Sequence, residues 1–96
     1  MEIISIIKLN LGNTYRKMKD YEKAEKYILE GLEGIKKVGD KYWEAEGYGY
    51  LGLLYIGKGD KKTAKDYFTR AYNLFKSIGA ERDAKNVLFA IRKLGK

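Results

Sequence analysis

Residues 51–55, Leu51-Gly52-Leu53-Leu54-Tyr55, echo residues 11–15, Leu11-Gly12-Asn13-Thr14-Tyr15, at a distance of 40 positions. Working outward at the same offset, Asp20 meets Asp60, Ala24 meets Ala64, Tyr27 meets Tyr67, Lys36 meets Lys76 and Gly39 meets Gly79. Ile28 meets Phe68, Gly31 meets Ala71, Ile35 meets Phe75 and Val38 meets Ile78, so size and spacing are kept where identity is not. A fixed period of this length marks stacked structural repeats, each too small to bury its own apolar face alone.

The punctuation inside each unit is helical. Asp20 and Asp60 stand where an N-cap is needed, and Asp40 can cap the helix that follows the first unit. Gly39 and Gly79 suit a left-handed C-terminal stop. The spacing predicts helices over about 2–18, 21–37, 41–57, 61–77 and 81–94. Ala24, Ile28, Gly31 or Leu32, and Ile35 form an inward stripe, matched by Ala64, Phe68, Ala71 or Tyr72, and Phe75. The last segment gathers Ala84, Val87, Leu88, Ile91 and Leu94 on one face. The expected architecture is all-α in one domain, residues 1–96: repeat 1 over about 2–39, repeat 2 over about 40–79, and a C-terminal capping helix over about 80–95.

These residues resemble the tetratricopeptide repeat. That family places Leu-Gly and a Tyr in the first helix, then Ala, an aromatic and Ala in the second. One copy here reads Leu11, Gly12, Tyr15, Ala24, Ile28, Gly31; the closer copy reads Leu51, Gly52, Tyr55, Ala64, Phe68, Ala71. Tyr48 stands where the family often has tryptophan, Lys8 departs from it, and Lys36 and Lys76 replace the closing proline. The 40-residue period, longer than the usual 34, is similar to that of kinesin light chains, polarity adaptors and bacterial Rap-type regulators.

The resemblance implies a right-handed α-solenoid whose concave groove is lined by the first helix of each repeat, and a role as a protein–protein interaction scaffold. By alignment the groove would present Ile6, Leu9, Asn13, Arg16 and Lys17 from repeat 1, and Glu46, Gly49, Leu53, Ile56 and Gly57 from repeat 2. The last helix would add Asn86 and Phe89. Chaperone-binding members hold a terminal carboxylate with lysines, asparagines and an arginine. Asn13 fits one such position, but Leu9, Tyr50 and Ala90 or Phe89 occupy the others. Those side chains lack the charge-assisted donors such recognition needs, so the groove is expected to take an amphipathic helix or nonpolar segment instead.

The first helix carries Ile3, Ile4, Ile6, Ile7, Leu9 and Leu11 around most of its circumference. An all-round apolar helix is normally covered on both sides. Self-association through Ile3, Ile4 and Ile7, as a homodimer or against further repeats, is the expectation. Gly47 and Gly49, each costing about 1 kcal/mol relative to alanine inside a helix, point to close approach by a backbone, a large side chain or a ligand.

Composition narrows the function classes. The 96 residues contain no His and no Cys, which removes the usual general base, the thiolate nucleophile and the commonest metal ligands. No catalytic residues, metal or cofactor are expected, and the chain reads as a non-enzyme. Gly57-Lys58-Gly59-Asp60 lies between two helices and lacks the spacing of a phosphate-binding loop. There is no apolar run of membrane-spanning length and no basic leader, so a cytoplasmic location without membrane contact is expected. Abundant Lys, Glu, Tyr and Ile without Gln lean towards a thermophilic source. The net charge of +7 keeps a basic helical nucleic-acid binder as the alternative, although the bases are spread and mostly have acids nearby.

Overall fold

Aspartates recurring every 20 residues set the helix starts. In a computed structural model, which describes residues 2–95, the Asp20, Asp40 and Asp60 carboxylates accept from the backbone N–H of Lys23, Trp43 and Thr63 at 3.3, 3.1 and 3.0 Å. Each satisfies one of the donors that a helix N-terminus leaves orphaned. The resulting elements are α1 (Glu2–Lys17), α2 (Tyr21–Val38), α3 (Lys41–Gly57), α4 (Lys61–Ser77) and α5 (Glu81–Leu94). The fourth position in the series is Ala80, and α5 accordingly starts without a side-chain cap.

The helix ends follow the same economy. Gly39 at φ 75° and Gly79 at φ 76° take the left-handed conformation expected of them, as does Gly59 at φ 84°. The position matching Gly59 in the first repeat is Lys19, which adopts the same conformation at φ 66° despite its Cβ.

Consecutive helices pack antiparallel-style in pairs, α1 on α2 and α3 on α4, with α2 touching α3 and α4 touching α5. Leu9, Ile28, Ile35, Leu51, Leu54 and Phe75 are the largest fully buried side chains. The Leu-Gly pairs explain the close approach: a Cβ on Gly12 would stand 2.5 Å from Ile28 Cγ1, and one on Gly52 would stand 2.6 Å from the Phe68 ring. Gly47 is accounted for in the same way, because Leu32 of α2 lies 2.5 Å from where its Cβ would be. The chain is thus an all-α helical-repeat solenoid of two helix pairs and a closing helix.

Candidate protein-binding groove

Alternation along α3 divides its residues between core and groove. Ala45, Tyr48, Leu51 and Leu54 face the core, while Glu46, Gly49, Tyr50 and Leu53 border a cavity of about 200 Å³. Phe68 and Phe75 of α4 line it from below, and Asn86, Val87 and Ala90 of α5 form the far side. Leu53 and Ala90 also border a second hollow of about 420 Å³, completed by Ile56, Phe89, Lys93 and Leu94. The two are continuous and together make an apolar groove between α3 and α5.

The expected groove residues fare unequally. Glu46, Gly49, Leu53, Ile56, Asn86 and Phe89 are brought to this one groove. Leu9 is a correction: it is wholly buried, packed against the Gly31 backbone of α2, and faces no ligand. Gly57 abuts the Tyr21 ring. Ile6 packs on the core cluster. Asn13 accepts from Arg16 Nε at 2.8 Å, and Lys17 is exposed. Asn10, which alignment did not select, accepts from the Tyr50 hydroxyl at 3.3 Å and ties α1 to α3.

The groove has an acidic corner that the sequence reading missed. Burial first, then the neighbouring Asp83 carboxylate, push the Glu46 carboxyl above its ordinary 4.5. Tyr42, its hydroxyl donating to Asp83, is raised by burial and then by Glu46 and Asp83. Tyr50 is raised by burial, then by Glu46. Asp83 comes from the first turn of α5, far from Glu46 in sequence, so no local motif announces the pairing.

Elsewhere the surface is differently used. Tyr15 stacks on Tyr27 at 5.6 Å and Tyr55 on Tyr67 at 5.7 Å, so these rings are engaged with each other. Ile3, Ile4 and Ile7 are 67, 55 and 57% exposed. Among the described residues, no group of His, Cys, Asp or Glu is placed to hold a metal ion, and no helix is long and apolar enough to cross a membrane.

Comparison with known proteins agrees with this architecture. Response regulator aspartate phosphatase E of Bacillus subtilis (strain 168) is 35% identical over 80 residues, covering 83% of this chain and 20% of that protein. The chain therefore spans about a fifth of the length of the curated relative it matches. No solved structure matches it. The tetratricopeptide repeat model matches residues 4–77, and on that match, with the repeat geometry described above, the chain belongs to the tetratricopeptide repeat family.

Proposed function

We propose that this protein-interaction repeat binds a partner helix or apolar segment in the groove between α3 and α5, and self-associates through α1. The observation that carries the groove reading is the continuous apolar lining of Leu53, Ile56, Phe89, Ala90 and Leu94, in which Leu53, Ile56 and Phe89 remain 37, 40 and 64% exposed. An amphipathic helix laid into such a groove removes that surface from water at roughly 25 cal/mol per Å². We read the chain as a non-catalytic scaffold in a cytoplasmic setting. The relative's name describes a protein acting on response regulators. What we carry over from it is protein recognition alone, because the shared segment is a fifth of that protein.

The self-association reading rests on the internal repeat. Ile4, Ile7 and Leu11 of α1 correspond to Glu44, Gly47 and Leu51 of α3 and to Ala84, Val87 and Ile91 of α5. In α3 that face is buried, with Leu32 of α2 seated on Gly47, and α5 packs on α4 with Ala84 buried. In α1 the face is bare and apolar. A second copy, or further repeats, would supply the missing cover.

A pull-down with the wild-type chain and with Leu53→Glu and Phe89→Glu variants tests the groove. Partners captured by wild type and lost by both variants support it, and undiminished capture by both refutes it. Sedimentation at micromolar concentration tests self-association, for which a clean monomer is the refuting result.

A further inference from the structure

The two repeats differ at one position in a way that opens a hole. Leu9 of α1 is wholly buried between α1 and α2, resting on Gly31. The matching residue of α3 is Gly49, and no heavy atom stands within 4 Å of where its Cβ would be. At the matching position of repeat 2, Gly49 instead borders the cavity of about 200 Å³, which Phe68, Phe75, Val87 and Ala90 also line. An apolar hole of roughly 150 Å³ accommodates a benzene-sized group, so one branched or aromatic side chain fits. Gly12, Gly47 and Gly52 are each required by a neighbour within 2.6 Å of their would-be Cβ. Gly49 has no such neighbour, and leaves a helix interior with a propensity cost and nothing inside the chain to offset it.

The lip of the same cavity carries charge of one sign. Glu46 lines it, and Asp83 is near enough to oppose ionisation of Glu46. Neither carboxylate belongs to any of the ion pairs among the described residues, although the chain holds 20 lysines and arginines. Lys23, Lys41, Lys58 and Lys76 instead pair with Asp20, Glu44, Glu25 and Glu81. In a basic protein, two carboxylates without a cation beside an apolar hole complement a ligand that brings its own cation.

We propose that the Gly49 cavity is the anchor site of the groove, taking a leucine-sized apolar side chain from a partner helix that carries a lysine or arginine one turn away, the base reaching Glu46 and Asp83. This rests on the groove reading above and names the chemistry of its partner. A cation seated there offsets the burial and, after it, the Asp83 repulsion that now raise Glu46 and converts half-buried carboxylates into charge-assisted acceptors.

The probe is a fluorescein-labelled alanine-based peptide of about sixteen residues, long enough to hold some helix in water, with one leucine and a lysine four positions on. Anisotropy titrations are run against wild type, Gly49→Leu, Gly49→Ala, Glu46→Gln and Leu53→Glu. The expected result is saturable binding by wild type, weakened roughly tenfold to a hundredfold when the peptide leucine becomes alanine. Changing the peptide lysine to glutamate, or Glu46 to Gln, weakens it several-fold. Gly49→Leu restores the repeat-1 residue, plugs the cavity and abolishes binding while the fold becomes more stable; Gly49→Ala gives a milder loss. Equal binding by wild type and the folded Gly49 variants, or by the lysine and glutamate peptides, overturns the proposal, as does no wild-type binding at about 1 mM peptide. If Leu53→Glu abolishes binding and the Gly49 variants do not, the pocket fails and the groove reading stands. If none of the protein variants matters, both fail.

Discussion

Replacing glycine by alanine at two positions of the solenoid should move stability in opposite directions. Both Gly12 and Gly49 lie inside helices, so each substitution gains about 1 kcal/mol in helix propensity. At Gly49 nothing stands within 4 Å of the new methyl, and the gain survives whole. At Gly12 the methyl would meet Ile28 Cγ1 at 2.5 Å, Ile28 N at 2.9 Å and Ala24 O at 3.0 Å. The first contact could swing aside, but the other two are backbone atoms of α2, and relief requires α1 and α2 to separate. Overpacking of this kind costs about 1–3 kcal/mol, and the backbone contacts place Gly12→Ala at the upper end. The net expectation is a loss of about 2 kcal/mol at Gly12 and a gain of about 1 kcal/mol at Gly49. For a domain of this size each kcal/mol moves Tm by roughly 4–8 °C. Urea titrations followed by circular dichroism would read both changes as shifts of the midpoint at constant slope. A destabilised Gly49→Ala would show that the space above Gly49 is closed, and would remove the basis for an anchor pocket there.

Three further outcomes follow from other parts of the molecule. Lys19→Gly should raise stability by about 1 kcal/mol in the same assay, because it relieves a left-handed conformation that a Cβ disfavours; no gain would show that the turn relaxes without help. Ile7→Lys should drive the chain to monomer in sedimentation without loss of helicity, since Ile7 is 57% exposed; an unchanged sedimentation profile would point to a different surface. Tyrosinate absorbance should include a late ionisation from Tyr55, alongside those of the raised Tyr42 and Tyr50, because the Tyr55 hydroxyl donates to Glu25 at 2.7 Å and is pushed up to about 12, chiefly by that bond. The folded state holds this proton more tightly than the unfolded chain, so its contribution is complete below pH of about 10 and lost as pH rises towards 12. Glu25 is lowered by the same hydrogen bond first, and its contribution fades instead as pH falls below 4.5 through its folded value. Glu25→Gln should bring the late ionisation back towards the ordinary tyrosine range, and an unmoved step would assign it to another residue.

Much of the scaffold was legible because its determinants are local. An aspartate before an apolar-periodic segment specifies a helix start whatever the tertiary context, and Asp20, Asp40 and Asp60 cap as their positions imply. The Leu-Gly pairs permit tight helix crossings at Gly12 and Gly52 for the same reason, since a glycine's missing side chain is a fact of sequence. Leu9 shows where alignment fails. Family position assigns it to the groove, but burial depends on what stands opposite, and Gly31 lets Leu9 sink to 0% exposure. In repeat 2 the matching position is Gly49, with nothing within 4 Å of its would-be Cβ, and Phe68 and Phe75 line the cavity beside it.

That substitution pattern makes a near-symmetric scaffold one-sided. Two identical repeats would bury identical leucines and present the same smooth face twice. Where repeat 1 has the buried Leu9, repeat 2 has Gly49 beside a cavity, and Phe68 and Phe75, larger than the matching Ile28 and Ile35, line it. The helix-propensity loss at Gly49 is about 1 kcal/mol, small enough for the rest of the solenoid to absorb. The acidic corner arises separately, from Glu46 on α3 and Asp83 on α5, where the matching position of α1 is Ile6. Because the packing residues that define the family are retained at Leu51, Gly52, Tyr55 and Ala64, the positions between them are free to differ without loss of the fold.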